Sequence, residues 1–202
     1  MAEHLCASLI SMGPAAAQNF HNMMQAYNNL ANQYGLWDAA SIVKEYGCSD
    51  DGFIDFRAWL IAQGKEVYMN ALKEPDTLAD IEPYGDCSFE RMLYVGNRAY
   101  KQLTGRSAYD DMDRAAFGKL QDELRKDIVY KDGIQYPREP RDLPDFLPHL
   151  CEKHGGRERF QVQACNWNFD LHEIRRLLDE GKRHDKQAAR NRKKRGKGEV
   201  AR

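Results

Sequence analysis

With 202 residues, of which 42% are hydrophobic and 30% charged, the chain has enough apolar side chains for one filled core without a disulfide to close it. Five scattered cysteines (Cys6, Cys48, Cys87, Cys151, Cys165) argue against a disulfide framework and for a reducing, cytoplasmic setting, and no apolar run approaches the roughly 20 residues that span a bilayer. The net charge of −1 hides a division, because Lys182 to Arg202 carries ten basic residues against two acids and the rest of the chain stands at −9.

Export is not expected from the opening "MAEHLCASLISMGP", which has Glu3 where a secretory leader wants positive charge and an apolar run broken by serines. Pro14 stands at the first position of a helix whose Phe20, Met23 or Met24, Tyr27, Leu30 and Tyr34 recur at three- and four-residue intervals. "LWDAASIVKEYG" reads as a second helix capped by Gly47, and a third runs from Asp51 or Gly52 to Pro75. After a loop holding Pro75, Pro83 and Gly85, "SFERMLYVGNRAYKQLTG" predicts a helix stopped by Gly105. Asp110 or Asp111 is placed to cap another, striped by Met112, Ala116, Leu120 and Leu124.

Regularity then weakens. Asp132-Gly133 suggests a hairpin turn, with Pro137 and Pro140 keeping the next residues irregular. "DFLPHLCEKHGG" predicts a short helix stopped by Gly155, and Phe160, Val162 and Ala164 alternate as in a short strand. Asp170 and Glu173 form a capping-box pattern for a last helix that fades into the basic run.

The stretch "GCSDDGFIDFRAWL" resembles the second half of a calcium loop, but the chemistry fails. With Gly52 at loop position six, positions one and twelve are Gly47 and Ala58, leaving Ser49, Asp51 and Asp55 as the correctly spaced oxygen donors. Ser49, Asp50 or Asp51 as helix cap is the simpler reading. On a wheel of about 100° per residue, Phe56, Leu60, Gly64, Val67 and Ala71 fall within about 60° of Phe53, and Arg57 lies at about 40° inside the same arc. A guanidinium in an apolar stripe needs partners, and Asp50 and Asp51 are the acids one to two turns earlier. The pair is expected to organise a helix corner, or else to bind an anion or substrate with an Asp as acid or base.

Residues 34 to 80 resemble the bacterial "domain of unknown function 4240" family through Leu36, Trp37, Ala39 and Ala40; Gly47 to Phe53; Phe56, Arg57, Trp59, Leu60, Ile61, Gln63 and Gly64; and Pro75, Asp76, Leu78, Ala79 and Asp80. The likeness extends more faintly through Tyr100. It implies a soluble bacterial protein and no assigned activity, and it implies a longer N-terminal helical lead-in than this chain shows.

Other constellations are weaker. His149, Cys151, His154 and Cys165 are zinc-competent residue types, but their spacing matches no standard zinc site, so no metal or cofactor is expected. Cys48 at a helix start invites a lowered thiol pKa, yet it lacks a nearby histidine and reads better as a small buried hydrophobe. Arg190, Arg192, Lys193, Lys194 and Arg195 can meet the phosphates of nucleic acid or an acidic protein, without aromatics for base stacking.

The expected fold is mainly α: a helical domain over 1–156 with a short irregular or hairpin segment, a strand–helix appendage over 157–181 and a basic, helical or solvated tail over 182–202. The favoured function is a noncatalytic interaction module with that tail as its handle. The alternative is an enzyme binding a small molecule or anion at Asp50, Asp51 and Arg57, within a motif cluster that includes Cys48, Ser49, Trp59 and Gln63; no catalytic residue is assigned.

Overall fold

The computed structural model describes residues 2–160 except 45–46, 83–86 and 132–138. The predicted Asp132-Gly133 turn, the capping box at Asp170 and the basic run with Arg190, Arg192, Lys193, Lys194 and Arg195 lie outside the described residues. The chain up to Phe160 forms one compact unit.

Helices α1 (Ala2–Met12), α2 (Pro14–Leu30), α3 (Tyr34–Val43), α4 (Asp50–Ala62) and α5 (Lys65–Lys73) are followed by a 3-10 helix, Pro75–Asp80. Then come α6 (Arg91–Thr104), α7 (Arg114–Lys126), a 3-10 turn at Pro140–Asp142, α8 (Leu143–Phe146) and α9 (Pro148–Lys153). The described residues contain no strand, so the mainly α expectation holds. None of their helices is long and apolar enough to cross a membrane.

Helix α2 is the hub, touching α1, α4, α6 and α7. One apolar cluster joins Cys6 and Leu9 of α1 to Ala17 of α2 and Val95 and Ala99 of α6. A larger one gathers Leu36, Ile42, Phe53, Phe56, Trp59, Leu60, Leu72, Leu147 and Leu150 from α3 to α9. The α2–α6 crossing depends on Gly96, where a Cβ would sit 2.7 Å from the His21 backbone nitrogen.

Several boundaries differ from expectation. The predicted third helix is two, because Gly64 at φ 99° turns the chain between α4 and α5. Helix α3 ends at Val43 with Lys44 as its cap, short of Gly47. Asp113, rather than Asp110 or Asp111, caps α7, its side chain accepting from Ala115 N and Ala116 N at 2.9 and 3.0 Å. No residue of α7 is buried, so of its stripe Leu120 and Leu124 are half-buried and Ala116 is exposed. Helix α1, which no periodicity announced, exists because Cys6 and Leu9 find α6. Residues 156–160 are helical, which displaces the start of the expected strand; its remainder lies outside the described residues.

Candidate functional site: an acidic cleft beside the signature helix

The "GCSDDGF" stretch is assembled around Trp37 and Phe53, whose rings stack with centroids 4.8 Å apart. Trp37 Nε1 donates to Cys48 O at 2.8 Å, tying the loop to α3. Ser49 caps α4 by accepting from Gly52 N at 3.1 Å, while Asp50 and Asp51 stand exposed in the first turn. Burial, followed by the charge of Asp55, pushes the Cys48 thiol up to about 11 against the opposing pull of Lys44 and Arg57, so it stays protonated at neutral pH. Gln63 ends the helix, its Nε2 donating to Trp59 O at 3.1 Å, and Trp59 is packed into the core.

Arg57 is buried at 7% exposure, as the wheel predicts, but its partners are not the expected acids. Its guanidinium donates to Asn28 O at 2.8 Å and to Phe53 O at 3.3 Å, and lies 4.7 Å from the Phe53 ring centroid. Asn28 belongs to the last turn of α2, where carbonyls lack helical partners and carry the negative end of the dipole. Tyr130 Oη donates to Leu30 O at 3.1 Å, and Tyr68 Oη adds a bond of 2.8 Å to Tyr27 O, which Ala31 N already meets, so three side chains gather on this helix end. The positive charge is met by oriented carbonyls, and burial lowers the guanidinium's pKa. The chemistry of the signature helix is therefore that of a cap.

The "PDTLAD" signature leads to an open surface. Buried Asp76 accepts from the amides of His149 and Leu150 at 3.1 and 2.9 Å, capping α9 from 73 residues away, and its Oδ2 lies 2.7 Å from His149 Nδ1. Lys153, at the other end of α9, donates to Ala79 O and Ile81 O at 2.8 and 3.0 Å. The 3-10 helix and α9 thus cap one another, and the imidazole of His149 projects with its side chain 81% exposed.

Beside this pair lies a cavity of about 570 Å³ lined by Glu74, Asp76, Thr77, Asp80, Lys131, Asp145, Phe146, Pro148 and His149. Its lining holds four carboxylates and one lysine. Lys131 is paired with Glu74 and lies over Phe146, Asp145 meets Arg157, and Asp80 is exposed. Thr77 Oγ1 donates to Glu74 O at 2.8 Å. The arrangement suits a positively charged group, which the carboxylates attract and the Phe146 face can flank.

The expected site residues therefore separate. Ser49, Trp59 and Gln63 hold α4, Arg57 holds the end of α2, and none of Cys48, Asp50, Asp51 or Arg57 lines the cleft. Of the zinc-competent set, His149 reaches the cleft, and Cys151 lies behind it with its thiol pushed up to about 12, first by burial and then by Asp76. Among the described residues no three of His, Cys, Asp and Glu converge as metal ligands.

No curated protein and no solved structure matches the chain. A family model does match it over residues 1–102, from α1 into α6 and across every signature residue from Leu36 to Asp80. The chain belongs to the family described as "Protein of unknown function (DUF4240)".

Proposed function

We propose that the chain is a noncatalytic interaction module whose working surface is the acidic cleft and whose ligand there is cationic. The observation that carries this reading is the lining: Glu74, Asp76, Asp80 and Asp145 against Lys131 around one cavity with an aromatic wall. Glu74, Asp76, Thr77 and Asp80 fall within the family segment, while Lys131 and Asp145 to His149 come from beyond it. Asp76 supports binding in two ways, by anchoring α9 and by fixing the imidazole at the rim. The side-chain hydroxyl in the lining, on Thr77, is engaged with the backbone, which favours binding over nucleophilic chemistry.

Titration of the isotope-labelled full chain with 1,5-diaminopentane tests the reading by NMR. Amide shifts are expected at residues 74–80 and 145–150. Shifts centred on residues 49–57 would move the site to the signature helix, and no saturable shift would remove it. The positive charge of the C-terminal run supports a second handle for a polyanion. Replacing Arg190, Arg192, Lys193, Lys194 and Arg195 by Gln is expected to weaken single-stranded DNA or heparin binding and flatten its salt dependence; unchanged binding would refute that handle.

A further inference from the structure

Resting on the cleft as the working surface, we propose that Lys131 is an internal competitor for its ligand, and that the ligand's charged end is a primary alkylammonium. Lys131 Nζ donates to both carboxylate oxygens of Glu74 and lies 4.9 Å from the centroid of the Phe146 ring. A carboxylate on one side and an aromatic face on the other form a seat for an N–H-bearing cation, and here an alkylammonium of the chain's own sits in it.

Two features make this occupant exchangeable. The Lys131 backbone amide donates to Leu72 O at 3.1 Å, so the main chain is held independently of where the side chain lies. The ion pair itself is partly open to solvent, with Lys131 27% and Glu74 43% exposed in their side chains. Such pairs are weak enough for a competing ammonium to displace. Asp80, exposed in the same lining, gives a second ammonium on the ligand a carboxylate to meet while the first takes the seat on Glu74, and Asp145 beside it is held by Arg157. Competition of this kind lowers the apparent affinity by the fraction of time Lys131 is seated.

The test uses the full chain and calorimetry with 1,5-diaminopentane at low salt, with tetramethylammonium as a cation that has no N–H. Lys131→Met keeps an apolar stem against Phe146 and removes the ammonium, and its folding is checked by circular dichroism and thermal melting. Affinity for the diamine is expected to rise about two- to sixfold, the range a displaceable pair of this kind allows, with little gain for tetramethylammonium. Adding Glu74→Gln to Lys131→Met should cancel the gain, and Lys101→Met, the same charge change on α6, should not reproduce it. Equal or weaker binding by Lys131→Met than by the native chain would overturn the competitor while leaving the cleft reading intact. A gain matched by Lys101→Met would assign it to net charge and overturn the competitor too. Binding by neither the native chain nor Lys131→Met would overturn both.

Discussion

Arg57 shows how a charged side chain is accommodated in an apolar helix face without a neighbouring acid. Its position on the wheel beside Phe53 and Phe56 is legible in the sequence, because helical geometry fixes which residues share a face. Its partner is not legible, because Asn28 O is a backbone atom contributed by the end of another helix. Replacing Arg57 by Met leaves a buried carbonyl without its charged donor and is expected to cost about 2–3 kcal/mol in urea unfolding. Asp50→Asn and Asp51→Asn, at exposed positions of the same helix, are expected to change stability by no more than about 0.5 kcal/mol each. Comparable losses from the aspartate variants would restore the acid–arginine pair as the organising contact.

At the scale of elements, the α2–α6 crossing buries an imidazole as well as a glycine. His21 is fully buried, its ring edge-on to Tyr109 at 4.2 Å, and among the described residues neither ring nitrogen has a hydrogen-bond partner. Burial alone pushes its pKa from 6.5 down to about 4. Well above pH 6.5 the imidazole is neutral in both the folded and unfolded chain and adds no pH dependence. As pH falls from 6.5 towards 4 the unfolded chain takes the proton first, so stability is expected to decline by about 3 kcal/mol and then to level off once both states are protonated. His21→Met should remove most of that decline in urea melts across the range; an unaltered acid limb would place the proton uptake elsewhere.

Helix existence was readable where periodicity and stop signals agreed, as in α2 with Pro14 and α6 with Gly105. It was not readable where packing decides. Helix α1 has Cys6 and Leu9 as its buried inner face and needs α6 to cover them. The break at Gly64 was hidden because the apolar stripe runs on through Val67 and Ala71 in phase with α4.

For the whole molecule, the signature residues divide into those that close helix ends and those that lead to the cleft. The cleft had little signal in the sequence, because Asp76 meets His149 73 residues away and Glu74 meets Lys131 57 residues away. Neither separation has a local period, and an isolated Pro148-His149 reads as a helix start. What the sequence did carry was the acidic balance of the chain before residue 182, and the cleft is one place where that charge is concentrated around a cavity.

The most direct test of the cleft compares diamine binding by two double variants of equal charge change. The Asp80→Asn, Asp145→Asn chain alters the cleft, and the Asp50→Asn, Asp51→Asn chain alters the start of α4. The first is expected to lose binding by about tenfold or more, as two cleft carboxylates are neutralised, while the second binds like the native chain. Native-like binding by the cleft variant with loss in the α4 variant would contradict the account and return the site to the signature helix.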